Sequence, residues 1–425
     1  MLEMTMTIPQ QLIDNAKTRF DLTEAAHQKS LYALIEVLLA LPDLTLDELN
    51  EVAMAETTPL EFKLAAKLVE SRRFLLANEK PIKVGVIFAM WGEQNRLHPK
   101  SETNPNGEDS LRVKLDQLAW ATADSAVEWT LYAVDDGCPH GSGRIAQTIA
   151  DEHPLGDKVR VLFLEQAVPT DSGPLDRLAS ANDSRKGGAI IYGAWQALQD
   201  GVDAIMYTDA DNSVHLGQLG LLLQPHLEEG YRVVLGNRQD PRSVLIKQAA
   251  RWGIGIKALR HMQRMVGEAI FARGIKDTQA AFKLYQRDVL AKILAKPSVY
   301  DFSFDTDWLL AVIASEEPFT AVPFAFIDSA AESASIVQGP MTTWETLLKG
   351  LVTAVRAHNV PHNTDMARVL DEEIHSHKDL ELLINHLPAE LENAGQSDFG
   401  NPDVMSPAAM QAWIQQRKRE AADEQ

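Results

Sequence analysis

Cysteine is almost absent from this chain, in which Cys138 is the single one among 425 residues. A disulfide framework and a cysteine-based zinc cluster both need several thiols, so the sequence excludes these two kinds of stabilisation. Scarce cysteine is also typical of proteins in a reducing compartment. We therefore expect a cytoplasmic protein, with peripheral association with a membrane as an alternative.

Long apolar runs are missing as well. The best candidate for a membrane span, Leu31 to Leu41, is shorter than the roughly 18 residues that a span needs, and it contains Glu36. The first residues lack a basic region followed by a long apolar core, so we expect no signal peptide. These features predict a chain without transmembrane segments.

Basic residues are outnumbered by acidic ones. The 40 lysines and arginines stand against 60 aspartates and glutamates, which gives a formal net charge of -20. Such a charge repels nucleic acids and anionic lipid surfaces, so we expect no nucleic acid partner. A phosphate-bearing ligand must then be bound locally, by a metal ion and a few basic side chains.

The patterns that are present divide the chain into three parts. Residues 1–79 have helical spacing and two capping boxes, Thr45 to Glu48 and Thr58 to Glu61. An alternating apolar pattern begins at Ile82 and indicates a first strand. We predict a helical extension over residues 1–79, an α/β domain over 80–340, and a helical C-terminal extension over 341–425 that is partly flexible at its end. From Ala357 onward we expect a loosely attached helical tail with frayed ends.

Five segments of the central part have strand patterns, and helical segments separate most of them. The predicted strands cover residues 82–88, 127–134, 159–164, 203–207 and 232–236. This alternation favours parallel pairing through right-handed crossovers. A further helical region is predicted over residues 243–273. The polar stretch 93–109 is interpreted either as a mobile loop near the ligand or as a surface insertion.

The most informative stretch is an apolar run that ends in Asp209 and Asp211. With an extended rise of roughly 3.3 Å per residue, these carboxylates lie about 7 Å apart on the same side of the chain. Oxygen ligands suit Mg²⁺ or Mn²⁺, which complete their coordination with water and substrate phosphates. Asp135 and Asp136 end another predicted strand, and the carboxyl ends of parallel strands meet at one edge. The four acids therefore predict a metal site for a diphosphate ligand, with a ligand-free polar turn as the alternative for either pair alone.

A second candidate contact is Lys186, which precedes Gly187 and Gly188 at a predicted helix start. The lysine is interpreted as a phosphate contact or as a solvated side chain. The glycines permit the close approach of a ligand, or they serve tight packing between helix and sheet.

Together these residues resemble glycosyltransferase family 2, in the family's own order from about Ile82 to Val337. Residues 135–142 are similar to its D-D-G-S-x-D-G-T turn, 186–193 to its G-K-G helix start, 208–211 to its D-x-D, 236–238 to its G-S-R turn, 277–283 to the D-T-Q-x-G-F-K of the dolichyl-phosphate mannose and glucose synthase branch, and 304–307 to that branch's F-D-x-E.

The resemblance implies a GT-A fold and an inverting, metal-dependent hexosyltransferase that uses a UDP- or GDP-linked sugar. It implies Mg²⁺ or Mn²⁺ as the cofactor, bound by Asp211 with Asp209, and Asp307 as the catalytic base, with Asp305 as the second candidate. Implied contacts to the donor come from Asp135, Asp136, Lys186, Asp209, Arg238 and Gln279.

The chain also departs from the family pattern. Residues 89–93 replace the family's P-x-Y-N-E, His140 replaces an aspartate, and Arg185 replaces a glycine. The C-terminal membrane spans of many lipid-phosphate glycosyltransferases are absent, so a soluble and a lipid-phosphate acceptor both stay open, as does a homo-oligomer formed through the terminal helices. The alternatives in function are a nucleotidyltransferase that makes a sugar nucleotide and a non-catalytic nucleotide-sugar-binding scaffold.

Overall fold

The computed structural model describes residues 8–247, 253–328 and 340–423. The N-terminal part is helical, as predicted. Its helices are α1 (Gln10–Asp14), α2 (Ala25–Ala40), α3 (Leu46–Met54) and α4 (Leu60–Ala77). Thr45 caps α3 by accepting a hydrogen bond from the Glu48 amide at 3.2 Å. The second predicted capping box is wrong, because the Thr58 hydroxyl donates to the Val52 carbonyl instead, at 2.6 Å.

The central part is built around one main sheet and a small second sheet. The main sheet contains β1 (Ile82–Met90), β2 (Val127–Asp135), β3 (Val159–Phe163), β4 (Ala204–Tyr207), β5 (Val233–Gly236), β7 (Lys283–Gln286) and β8 (Phe319–Val322), and the second contains β6 (Val244–Ile246) and β9 (Ala325–Ile327).

Helices cover both faces of the main sheet and continue beyond it. They are α5 (Ser110–Thr122), α6 (Ser142–Glu152), α7 (Gly187–Gln199), α8 (Leu219–Glu228), α9 (Ile256–Val266), α10 (Glu268–Phe271), α11 (Arg287–Leu294), α12 (Phe304–Ala314), α13 (Pro340–Ala357), α14 (Thr364–Glu373), α15 (His377–Glu381) and α16 (Pro407–Asp423). In the described part of the chain, every helix falls short of the combined length and apolar character needed to span a bilayer.

The strand order of the main sheet is β3-β2-β1-β4-β7-β5-β8. Strands β3, β2, β1 and β4 are parallel, and β7 runs antiparallel to both of its neighbours. Met90 at the end of β1 lies opposite Asp135 at the end of β2, so the acidic strand ends share one edge. The predicted α/β class, with a mostly parallel sheet, flanking helices and helical extensions, is confirmed.

Two parts of the secondary structure differ from the sequence prediction. The helix expected over residues 243–273 is interrupted, because its first residues form β6 and helix α9 begins only at Ile256; residues 248–252 of that prediction lie outside the described residues. Strands β7, β8 and β9 have no counterpart in the prediction. The polar ends of β7, Lys283 and Gln286, obscured a strand whose backbone is hydrogen-bonded to both flanking strands.

Both terminal extensions are integrated into the fold. Leu31 and Ile35 of α2 are fully buried against α4, and the Ser71 hydroxyl of α4 donates to the Gly217 carbonyl at 2.6 Å. The C-terminal helices share one apolar core with the sheet, in which Leu348 and Ile414 belong to the same cluster as β4. The prediction of a loosely attached tail is therefore wrong for the helices through Ile414.

Candidate active site

A cleft of about 560 Å³ opens at the carboxyl ends of β1, β2 and β4. The predicted site residues that line it are Asp136, Lys186, Asp209, Asp211 and Gln279. Ligands of open α/β sheets bind outside this edge, because the strand ends there leave backbone and side chains free to face a crevice. The structure therefore brings five of the predicted residues together in one place.

Asp209 and Asp211 follow β4 and have different surroundings. The Lys186 ammonium forms an ion pair with the Asp209 carboxylate. Burial raises the pKa of Asp209, but the Lys186 charge and hydrogen bond outweigh it, so the pKa of Asp209 lies below its ordinary value. Burial and the neighbouring Asp209 charge raise the pKa of Asp211 to about 6. Of the two acids that follow β4, Asp211 is thus the one whose charge is less compensated by protein groups.

The donor set of this site fits a hard cation that keeps most of its coordination for other ligands. Among the described residues there is no group of three or more His, Cys, Asp or Glu side chains that could hold a metal ion. Mg²⁺ is commonly bound by one or two carboxylates, with waters and substrate phosphates filling the octahedron. Asp211, with Asp209 beside it in the cleft, supplies such a pair, and the raised pKa of Asp211 indicates negative charge that a cation would stabilise.

The polar stretch 93–109 is fixed against the loop that follows β4. Glu108 accepts a hydrogen bond from the Asn212 amide at 2.8 Å and one from the Arg96 side chain at 2.9 Å. Arg96 also pairs with Glu93, and both of these residues line the cleft. The Lys114 ammonium donates to the Asp211 carbonyl. Neither sequence interpretation of this stretch describes these contacts, which tie residues 93–109 to the loop that follows β4. We call this set of ion pairs and hydrogen bonds the clasp.

Asp135 and Asp136 have separate environments. Both carboxylate oxygens of Asp135 accept backbone hydrogen bonds, from Cys138 at 2.8 Å and from Gly143 at 2.6 Å, so this side chain holds the turn before α6 and does not line the cleft. Asp136 faces the cleft and accepts a hydrogen bond from the Lys186 amide at 2.7 Å. Burial raises the pKa of Asp136 to about 6.

The helix start at Lys186 is packed against the segment before α12. The Gly188 amide donates to the Tyr300 carbonyl at 2.8 Å, and a Cβ at Gly187 would lie 2.6 Å from that carbonyl oxygen. These contacts leave no room for a side chain, so the two glycines serve the approach of protein backbone. Lys186 itself has φ 77°, a strained conformation for a lysine that directs it toward Asp209.

Arg238 and Gln279, both predicted to contact the donor, lie in different places. The Arg238 guanidinium is bidentate to Asp277, with both N–O distances at 2.7 Å, and it does not line the cleft. Gln279 lines the cleft, and its side-chain amide donates to Asp305 at 3.1 Å. Of these two predicted donor contacts, the structure brings only Gln279 to the cleft.

The two candidate bases point to opposite sides of α12. Asp305 is buried and does not line the cleft itself; it lies 3.6 Å from the Lys283 ammonium and accepts a hydrogen bond from the cleft residue Gln279 at 3.1 Å. Asp307 accepts hydrogen bonds from the Ser298 amide at 3.0 Å and from His358 at 2.7 Å. Asp307 therefore fastens α12 to its neighbours, away from the cleft, because residues two apart on a helix cannot face the same way.

Several cleft residues were missed by the sequence prediction. Thr342, Thr343 and Thr346 of α13 line the side of the cleft formed with Phe302. Arg96 was hidden in a stretch without periodicity, and the threonines lie in a segment whose composition indicates an ordinary amphipathic helix. No spacing in the sequence connects either group with Asp211.

The chain is similar in sequence to known mannosyl transfer enzymes, although no family model matches it. It is 26% identical to the undecaprenyl-phosphate mannosyltransferase of Micrococcus luteus over 224 residues, which make up 52% of this chain and 79% of that enzyme. It is also 26% identical to the polyprenol monophosphomannose synthase of Mycolicibacterium smegmatis over 181 residues, 42% of this chain and 60% of that enzyme. The chain thus spans less than two thirds of the second relative.

Solved structures with a similar arrangement have low identity. Glucosyl-3-phosphoglycerate synthase from Mycobacterium tuberculosis, in complex with Mn²⁺, uridine diphosphate and glucosyl-3-phosphoglycerate, has a TM-score of 0.41 and 13% identity, covering 75% of this chain and 86% of that chain. Mannosyl-3-phosphoglycerate synthase from Rubrobacter xylanophilus has a TM-score of 0.42 and 13% identity, with 69% and 78% covered. The sequence relatives confirm the predicted resemblance to glycosyltransferase enzymes.

Proposed function

We propose that this chain is a metal-dependent glycosyltransferase that transfers a hexose from a UDP- or GDP-linked sugar to an acceptor, with inversion at the anomeric carbon. The observation that carries the proposal is the position of Asp209 and Asp211 at the end of β4, inside a cleft that also exposes Asp136, Lys186 and Gln279. The similarity to mannosyl transfer enzymes supports the same reaction class.

In this proposal Asp211 and Asp209 hold Mg²⁺ or Mn²⁺. The bound cation would neutralise charge on the departing nucleoside diphosphate. Lys186 adds a positive charge beside Asp209 and lines the cleft, where it would contact a phosphate or a sugar hydroxyl. Asp136 lines the cleft near the start of α7, where its carboxyl group would accept a hydrogen bond from the nucleoside. The protein groups thus orient the donor and stabilise its leaving group.

The transfer step breaks the bond between the anomeric carbon and the diphosphate oxygen and forms a bond to the acceptor oxygen. The acceptor loses a proton, which a carboxylate must accept unless the acceptor group is already a phosphate. We propose Asp305 for this role in place of Asp307. Burial raises the pKa of Asp305, which the Lys283 charge partly offsets, and a carboxylate with a raised pKa is the better base.

The test is a titration of the wild-type chain with UDP-, GDP- and ADP-sugars, each with and without Mn²⁺ or Mg²⁺. We expect one nucleotide class to raise the melting temperature only when the metal is present, because a ligand that binds the folded state stabilises it by mass action. The same donor should be hydrolysed slowly to the nucleoside diphosphate. Absence of a metal-dependent shift with every donor would overturn the proposal.

The alternatives give other products in the same assay. A nucleotidyltransferase supplied with pyrophosphate would release a nucleoside triphosphate from the sugar nucleotide. A binding scaffold would be stabilised by the donor without forming any product. Formation of the nucleoside diphosphate alone separates the proposed reaction from both.

A further inference from the structure

The cleft has an unusual lining for an enzyme whose sequence relatives are named for lipid-linked substrates. Among the described residues, none of those that line it is Leu, Ile, Val or Met. Its larger apolar surfaces are the rings of Trp91 and Phe302, and the rest is alanine, hydroxyl, amide or charge. An isoprenoid chain needs a continuous aliphatic surface to leave water. The described cleft does not offer that surface.

One side of the cleft is formed by the C-terminal helix α13. Thr342, Thr343 and Thr346 all face it, at spacings of three and four residues that place side chains on one helical face. The other face of α13 buries Trp344 and Leu348 in the main core. This helix therefore presents a row of hydroxyl groups to the cleft that Asp211 also lines.

Helix α13 is held rigidly against the helix that carries Asp305. At Gly350 the two helices approach so closely that a Cβ would lie 2.7 Å from the Ser303 Cβ. Near the end of α13, His358 contacts Asp307 at 2.7 Å. These two contacts join the C-terminal half of α13 and the residue after it to Ser303 and Asp307, and so help to set the orientation of the threonine row.

Arg185 supplies a positive charge to the same cleft. It is exposed and lines the cleft next to Asn182. The other two cations of the cleft are paired, Arg96 with Glu93 and Lys186 with Asp209. Within the described ranges, Arg185 forms no close ion pair, although its charge partly stabilises the carboxylates of Asp136 and Asp301. An exposed guanidinium without a bidentate partner suits a carboxylate or phosphate group.

We propose that α13 and Arg185 form the acceptor subsite, and that the acceptor is a small water-soluble molecule with several hydroxyl groups and one acidic group. The threonines would bind the hydroxyl groups, and Arg185 would bind the acid. This inference rests on the proposed glycosyltransferase function and adds the acceptor class to it.

The first experiment measures release of the nucleoside diphosphate from the donor that stabilises the wild-type chain. The probes are glycerate, glycerol 3-phosphate, glucose 6-phosphate and glucose in buffer, and farnesyl phosphate in detergent micelles. We expect at least one acidic polar probe to accelerate release about tenfold or more and farnesyl phosphate to have no effect. Stimulation by farnesyl phosphate alone, or by none of the probes, overturns the proposal.

Failure of the two proposals can be told apart in the wild-type chain. Loss of the glycosyltransferase proposal appears as no metal-dependent stabilisation by any donor. Loss of the acceptor proposal appears as normal donor binding together with stimulation by the lipid phosphate or by nothing.

The second experiment tests the threonine row with a matched pair of substitutions. Thr346→Val and Thr353→Val each remove a hydroxyl that bonds the carbonyl four residues earlier, at 3.0 Å and 2.9 Å, on the same helix. Only Thr346 lines the cleft, whereas Thr353 is exposed elsewhere. We expect Thr346→Val to raise the acceptor KM about tenfold relative to Thr353→Val. Equal acceptor KM values in the two variants would contradict the assignment.

Arg185→Gln tests the acidic group. We expect the acceptor KM to rise about a hundredfold for glucose 6-phosphate and little for glucose, because a charge-assisted hydrogen bond is lost only with the former. A rise in the donor KM with an unchanged acceptor KM would place Arg185 on the donor diphosphate and overturn its role in the acceptor subsite.

Discussion

The two sides of the cleft are held in place by different forces. On the Asp211 side, charged residues of the 93–109 stretch clasp the loop after β4 through ion pairs and hydrogen bonds. On the α13 side, buried apolar residues and the close contact at Gly350 do the same task. Ion pairs and hydrogen bonds influence the charge around a metal site, whereas close packing determines the shape of the cleft wall. We propose that the first side binds the donor and that the second selects the acceptor.

The largest effect is expected at the charged side. Asp211→Asn keeps the size of the side chain but removes the carboxylate that we assign to the metal. We expect kcat/KM to fall about a thousandfold at fixed Mn²⁺, because the charge that holds the cation is lost. The measurement is donor turnover against metal concentration, with exposed Asp151→Asn as the control. Unchanged metal dependence in Asp211→Asn would disprove the metal assignment.

The next comparison lies on α12, between the two sides. Asp305→Asn should lower kcat about a hundredfold, as expected for removal of a general base, and should also lower the free energy of unfolding, because Asp305 is the ion-pair partner of the buried Lys283 ammonium. Asp307→Asn should lower the free energy of unfolding by about 1–3 kcal/mol without a comparable loss of kcat, because its buried hydrogen bonds to Ser298 and His358 weaken. Turnover and urea denaturation of both variants check the pair. The reverse pattern would restore Asp307 as the base.

A packing change should disturb the α13 side. Gly350→Ala inserts a methyl group against the Ser303 side chain, which is fully buried. Overpacking of this kind costs about 1–3 kcal/mol, although alanine ordinarily stabilises a helix. Urea denaturation should show the loss, and Ser303→Gly in the same chain should recover part of it. A Gly350→Ala variant as stable as the wild type would show that α13 is not packed so closely.

The smallest effect is expected from the clasp itself. Glu108→Gln keeps the shape of the side chain but weakens its bonds to Arg96 and to the Asn212 amide. We expect metal-dependent donor affinity to fall about tenfold, because the loop that carries Asp211 is less well positioned. Isothermal titration of donor with Mn²⁺ checks this, with exposed Glu128→Gln as the matched control. Equal affinities would mean that the clasp does not position the loop.

The sequence predicted the position of the acidic edge of the sheet better than it predicted the contacts of individual side chains. The apolar run over residues 203–207 predicted the strand that became β4, and Asp209 and Asp211 follow its end as expected. The sequence alone could not distinguish the roles of Asp135 and Arg238 from those of residues that line the cleft. Asp135 binds a backbone amide, and Arg238 binds Asp277. Which partner a buried side chain meets depends on residues far away in the chain.

The terminal regions show the same limit. Their helical spacing was readable, because it depends on residues three and four apart. Their attachment to the core could not be predicted, because the polar residues of α14 and α16 are typical of a solvated helix. Only the structure shows that the apolar residues of both helices are buried in the core.

The sequence by itself determined the α/β class, the acidic edge of the sheet and the relationship to glycosyltransferases, since these depend on local periodicity and on short motifs. The tertiary structure alone decided that Asp305 and not Asp307 lies toward Gln279, that residues 93–109 clasp the acidic loop, and that α13 forms a side of the cleft. The physical reason is that charge pairing and close packing join residues separated by tens to hundreds of positions, and no local pattern records those contacts.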